Sequence, residues 1–413
     1  MTDSADPVGG SAGQPAVTLP FPRTAKYGAA ETEAVLAVMQ EGHLSDIDRG
    51  PRIAALEDAF TTLTGAQHAL SFNSGTASLH SALHGVGAGA HGGVVVSPMT
   101  WVSAITAVFQ AGSYPVFCDI EPASPNLSAD SLAHLPGTYS AVLATHAWGI
   151  PARMDELASA TALPIVEDCS HAHGAVYRGR PVGSWGAAGC FSLQESKSVS
   201  GGEGGVMTTS NRQVYERALT LGHHPQRLQR ELTLASLRPM AASGAAYKYR
   251  MPVLSAVVAT EQLRGLPARM KAAEANLATL REVLASFDAP ITFPVVDETS
   301  VRGWYGTPLI ITLPVHDPQQ LWDRLTQAKV PIRPLYEDWA NVPLLQHPDL
   351  AARYWPHLAH TAYTPPSRQM LANYYRARRQ MLILKIPHIP APDYMEQVAT
   401  AMASAVHRAL SDS

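Results

Sequence analysis

Lys197 stands alone between an apolar run and a glycine-rich turn, in FSLQESKSVSGGEGG (191–205). A lysine amine taken out of water sheds its charge easily and becomes a nucleophile for a carbonyl carbon. Ser192, five residues earlier, places a hydroxyl where it could reach a phosphate. Lys197-Ser198 mimics the end of a nucleotide-binding P-loop, but here the glycines follow the lysine and no glycine-rich loop precedes it. The bland alternative is a solvated surface lysine, and the flanking composition argues against it.

Three further segments carry matching chemistry. NSGTAS (73–78) follows an apolar run and opens a helical pattern. Gly75 permits a sharp turn, and free helix-start amides with the Ser74 and Thr76 hydroxyls suit a phosphate. Taken alone, the same residues are an ordinary helix cap. Trp101 comes just after GVVVSP, where an aromatic could lie flat on a cofactor ring or simply be core. Asp168 ends LPIVED (163–168), a run with the texture of a strand buried on both faces. A carboxylate there needs a partner; a protonated pyridine nitrogen is one, a salt bridge or helix cap another. His171 and His173 follow, but their spacing fits no zinc signature and no metal is expected. A phosphate cup, a ring stacker, an acid for a pyridine nitrogen and an amine for an aldehyde together meet the needs of pyridoxal 5'-phosphate.

These groups fall at the ends of predicted strands, the edge where open α/β sheets bind ligands. Strands are expected over 66–72, 93–98, 114–120, 141–146, 163–168, 188–193 and 204–210, with helical stretches between several of them. That alternation predicts a mainly parallel sheet between helices. Residues 223–250 read as basic, His-rich and irregular, and one long helical stretch follows over about 253–287. A smaller mixed unit comes next, with strands near 307–314, 331–334 and 382–387 and helices over 318–329 and 392–410. The expected division is a floppy tail over 1–16, a large α/β domain over 17–288 and a small α+β domain over 289–413.

Composition narrows the partners. With 46% apolar and 15% charged residues the chain is globular, and a net charge of -4 gives no electrostatic reason for a nucleic-acid or anionic-membrane partner. Three scattered cysteines suggest neither a disulfide framework nor a zinc knuckle. No signal peptide is evident, and no apolar run approaches the ~20 residues of a membrane span, so a soluble cytoplasmic protein is expected.

From about residue 24 to 405 the chain resembles the DegT/StrS-type sugar aminotransferases of fold type I. The similarity runs through SGTASLHSAL, VVVSPMTWVSAITAVFQAGSYPVFCDI, HAWGIPARMDEL, VEDCSHAHGA, FSLQESKSVSGGEGGVMTT, YKYRMPVLSAVVATEQL, IRPLYEDW and LKIPH. It implies a seven-stranded, mainly parallel sheet with a smaller C-terminal α+β domain. By resemblance, Lys197 matches the Schiff-base lysine, Asp168 the pyridinium partner and Trp101 the ring stacker. Ser74, Gly75, Thr76 and Ser192 match phosphate ligands, and His171 falls near the cofactor's oxygen or ring. In AYKYR, Lys248 replaces an asparagine that in many members reaches the neighbouring subunit's phosphate, which implies a homodimer with shared sites. Arg250 is the candidate for an anionic amino donor. QES before Lys197, GGEGG after it, and EDCSHAHGA are similar to members that aminate cyclitols in antibiotic pathways. The expected reaction is amino transfer from glutamine or glutamate to a keto-cyclitol or keto-sugar. A nucleotide-linked keto-hexose is the alternative acceptor, its charge met by the basic stretch 223–250. A lyase or dehydratase using the same cofactor also stays open.

Overall fold

In the computed structural model, residues 15–89, 92–312, 318–361 and 363–411 are described. All but the last two residues of the expected N-terminal tail lie outside them. Seven strands form the large sheet: β1 (His68–Phe72), β2 (Gly93–Val96), β3 (Pro115–Phe117), β4 (Tyr139–Thr145), β5 (Ile165–Asp168), β8 (Ala188–Ser192) and β9 (Gly205–Thr209). A short hairpin, β6 (Val176–Tyr177) and β7 (Arg180–Pro181), interrupts the series. The sheet order is β1-β9-β8-β5-β4-β2-β3. All pairings are parallel except those of β9, which runs antiparallel to both β8 and β1.

The apolar runs form strands because both faces are covered. Val94, Val96, Ala141 and Leu143 join one buried cluster, while Val95, Val142 and Ala144 join another on the opposite face. Helices Gly75–Val86, Val102–Gln110 and Arg212–Gly222 contribute to the first cluster, and Pro51–Thr64 and Val253–Arg264 to the second.

The single long helix expected over 253–287 is two, Val253–Arg264 and Leu266–Ser286, meeting at Gly265. Pro267 explains the break. It has no N–H to donate, and its ring crowds the carbonyl four residues back, so it is tolerated only in a first turn. The stretch 223–250, expected to be irregular, contains the helix Pro225–Glu231, with Pro225 at its first position and the His224 ring accepting from the Gln226 amide at 3.3 Å. Arg227 on that helix is buried against Glu57, which it meets with two hydrogen bonds of 3.0 and 2.9 Å. Arg230 is paired with Asp48 and Glu231.

Beyond residue 290 a second sheet is wholly antiparallel, in the order β10 (Ile291–Thr292), β11 (Thr307–Ile311), β13 (Met381–Leu384), β12 (Ile332–Arg333). Helix Pro392–Ser411 covers it and packs along Leu266–Ser286, joining one buried cluster with Leu309, Ile311 and Leu384. Among the described residues no helix is long and apolar enough to cross a membrane.

Candidate active site

The reversal between β8 and β9 creates the loop that carries Lys197. Leu193 closes its base, donating to Gly204 O at 2.8 Å and accepting from the Gly201 amide at 2.9 Å. Lys197 Nζ lies 4.1 Å from the centre of the Tyr305 ring. Burial pushes the amine below the ordinary lysine range, while Tyr305 and Asp168 work in the other direction.

β1 leads into the helix Gly75–Val86, whose first turn abuts the end of β8. A Cβ on Gly75 would stand 2.7 Å from Ser192 Cβ, so only glycine lets the two hydroxyl-bearing segments approach this closely. The Ser74 hydroxyl accepts from the Ala77 amide at 3.1 Å, so Ser74 does cap the helix; Thr76, next along, is half-buried. Asp168 is the last residue of β5 and 5% exposed, with Oδ1 accepting from the Ser170 amide at 3.1 Å. Among the described residues it takes part in no ion pair. The nearby cluster His146–Glu167–Cys169 has the composition of a metal site, but its groups are already engaged. His146 Nδ1 accepts from the Ala152 amide, so Nε2 carries the proton and donates to Glu167, which also takes the Gly183 and Gly186 amides.

His171 is buried, and burial with the charge of Lys197 holds its pKa well below the usual imidazole value, so it is neutral. Its Nδ1 accepts from the Trp148 amide at 3.2 Å; the proton therefore sits on Nε2, which donates to the Tyr336 hydroxyl at 2.9 Å. The Tyr305 ring stacks on His171 with centroids 4.1 Å apart and planes 7° apart. Trp101, 47% exposed, meets Tyr336 and Trp339 edge-on at 5.3 and 5.7 Å. A continuous aromatic wall thus runs from Trp101 through Tyr336 and His171 to Tyr305 and Lys197.

Tyr305 and Tyr336 are parts of the site that sequence reasoning missed. Tyr305 sits in the linker before β11, with no periodicity to mark it, and is placed by two glycines. The Gly303 amide donates to Gly149 O at 2.8 Å, and a Cβ on Gly149 would stand 2.2 Å from Gly303 O. Burial works to raise the Tyr305 phenol, but Lys197, hydrogen bonds from Ser196 and Tyr336, and Arg333 hold it below the usual tyrosine range. Tyr336 lay within the quoted string IRPLYEDW, without a role.

Two expected residues are not brought to Lys197 within one chain. Lys248 is exposed with φ 57°, on a strip whose next residue, Tyr249, accepts the Asn73 amide at the start of the phosphate turn. Arg250 lines a small recess with Asp46, Arg49 and His223 instead. A cavity of about 1050 Å³ opens beside Lys197, between residues 17–31 and the small sheet.

The site's residues fit pyridoxal phosphate. The Gly75–Ser192 contact would cradle an anion at a helix start, and the Asp168 carboxylate, free of any ion pair among the described residues, and the desolvated Lys197 amine would serve the ring nitrogen and the aldehyde. The DegT/DnrJ/EryC1/StrS aminotransferase family matches residues 26–367. An aminotransferase from Psychrobacter cryohalolentis shares the fold at 22% identity, with a TM-score of 0.80 over 92% of this chain and 98% of that one. 3-Amino-5-hydroxybenzoic acid synthase does so at 23% identity, with a TM-score of 0.78 over 94% and 99%. DesV of S. venezuelae is 25% identical, with a TM-score of 0.74 over 90% and 93%. The chain belongs to the DegT/DnrJ/EryC1/StrS family and is a pyridoxal-phosphate-dependent aminotransferase of fold type I.

Proposed function

We propose that the enzyme moves an amino group from glutamine or glutamate to a keto-cyclitol or keto-sugar, with Lys197 as the cofactor-bearing and proton-carrying residue. The observation that carries this reading is the desolvated Lys197 amine, placed beside Asp168 on a loop that starts at Ser192 of the Gly75 cradle. Bound pyridoxal phosphate supplies a carbonyl carbon for the lysine and a ring that accepts electrons from the substrate carbon. Lys197 Nζ, once freed by the donor's amine, would take the proton from the donor's α-carbon as a base and deliver it as an acid to the carbon that had been the cofactor's aldehyde, leaving the amine there. The carboxylate of Asp168 keeps the ring nitrogen protonated. Ser74, Gly75, Thr76 and Ser192 hold the phosphate, and Trp101 and neutral His171 bound the ring. In a homodimer Lys248 would reach the neighbour's phosphate and Arg250 an anionic donor, which accounts for both lying apart from Lys197 in one chain. QES before Lys197 and the EDCSHAHGA string favour a secondary-metabolite cyclitol acceptor, and the composition favours the cytoplasm.

The purified protein should be yellow. Borohydride reduction and peptide mapping should place the label on Lys197, and Lys197→Ala should lose both label and turnover. With glutamine alone, one turnover should leave pyridoxamine phosphate, which a lyase or dehydratase would not accumulate. A label on Lys26 or Lys248 instead would overturn the assignment.

A further inference from the structure

We infer that a second cavity, of about 650 Å³ between the helix Leu266–Ser286 and residues 292–304, is a ligand site apart from the one at Lys197. It takes a small organic acid, with the carboxylate on Arg302 and the apolar body against Phe293, Val296 and Val301. The inference goes beyond amino transfer and does not depend on it.

Arg302 is the reason to look there. It is 5% exposed, yet among the described residues it forms no ion pair. Arg227, buried as deeply, is met by Glu57. A buried charge without a counter-charge is costly, and its partner has to come from somewhere. Arg302 Nε donates to Gly303 O at 3.3 Å, and Nη2 donates to Trp148 O at 3.3 Å and to Gly306 O at 2.7 Å. Its Cζ lies 4.5 Å from the centre of the Trp304 ring. These contacts fix the guanidinium but neutralise none of its charge, and they leave Nη1 to the cavity that Arg302 lines. Burial pushes its pKa down to about 9; Glu274 opposes the fall and Arg281 adds to it, so Arg302 is still a cation at neutral pH.

The other charged groups on the cavity wall are the exposed Lys271, Glu274 and Arg281. Glu274 attracts Arg302 from beyond ion-pair reach, which leaves three cations against one carboxylate. Arg281 is drawn to Phe293, with its Cζ 5.0 Å from the ring centre. Most of the remaining wall is apolar, including Met270, Phe293, Val296, Val301 and Trp304. A carbon-lined cavity of this size with one buried, oriented cation is the usual form of a small-molecule site. A carboxylate matches a guanidinium in charge and in planar shape. A phosphate dianion would bring a second charge against walls made mostly of carbon. Only Trp304 lines both this cavity and the one beside Lys197, so the two are separate spaces that share one side chain.

Calorimetry on the cofactor-loaded enzyme with 3-phenylpropionate as probe tests the site without turnover. Saturable binding is expected, at least tenfold tighter than that of 3-phenyl-1-propanol, which lacks the charge, or of acetate, which lacks the apolar body. Arg302→Met should weaken it at least tenfold. That variant also loses three carbonyl contacts, so Val301→Glu provides the second reading: it keeps Arg302, adds a competing carboxylate on an exposed wall residue, and should weaken binding as much. Arg333→Gln, in the cavity beside Lys197, should leave binding unchanged. Absence of saturable binding, equal binding of the alcohol, or binding lost in Arg333→Gln but kept in Val301→Glu would each overturn the inference. None of these outcomes bears on amino transfer, which is read separately from the yellow colour and pyridoxamine phosphate formation.

Discussion

At the scale of single residues, the chemistry turns on how easily Lys197 becomes a neutral amine. Burial lowers its proton affinity, and Tyr305 partly restores it by charge and hydrogen bonding. Two outcomes follow with definite sign. In the cofactor-free enzyme, acylation of Lys197 by limiting acetic anhydride, read by peptide mass, should have a pH midpoint below the ordinary lysine value of 10.5. In Tyr305→Phe the midpoint should fall further, because the group that favours the charged amine is gone. A midpoint at or above 10.5, or a rise in the tyrosine variant, would contradict the placement of Tyr305 against the amine.

At the scale of elements, the site depends on how closely a helix start and a strand end can approach. Gly75→Ala would press a methyl to 2.7 Å from Ser192 Cβ, and 3.1 Å from its Cα, which cannot swing away. The expected cost is about 1–3 kcal/mol of stability, with faster loss of the yellow colour on dialysis. Gly89→Ala, whose nearest neighbour would be Ala111 O at 3.9 Å, should do neither. Thermal midpoints and cofactor retention of the two variants decide the point. This contact also shows what was legible in advance. Ser74, Gly75, Thr76, Asp168 and Ser192 stood out as candidates because they lie at or near the ends of apolar runs, and a strand buried on both faces writes itself as such a run; Lys197 stood out as a lone lysine between such a run and a glycine-rich turn. The break at Gly265 was present in the sequence as Pro267 but was outweighed by the continuing helical pattern on both sides. Tyr305 and Arg333 were not legible. Their positions depend on the Gly149–Gly303 contact and on a two-residue strand, long-range packing that leaves no local periodicity.

At the scale of the whole molecule, the fold buries several histidines in the neutral form. Burial is the main cause throughout, and it depresses His80 and His388 to about 4 and His173 to about 3, with His171 and His223 well below the ordinary 6.5. The unfolded chain binds protons at these rings near pH 6.5, whereas the folded chain declines them down to about 4. Between those limits the unfolded state holds more protons, so stability is complete above the unfolded value and falls as pH falls. Each ring contributes up to about 1.4 kcal/mol per pH unit within that window. The depressed carboxylates, Glu57 and Glu216 among them, add the same sign only below their ordinary 4.5, so the range from 6.5 to 4.5 isolates the histidines. The urea midpoint at fixed protein concentration should therefore drop steeply between pH 6.5 and 5, with net proton uptake on unfolding at pH 5.5. His388→Gln should make that slope shallower, since it removes one ring that titrates only when unfolded. A midpoint that stays level from pH 7 to 5 would mean these rings are not held neutral in the folded protein, and with that the tautomer assigned to His171 would fall.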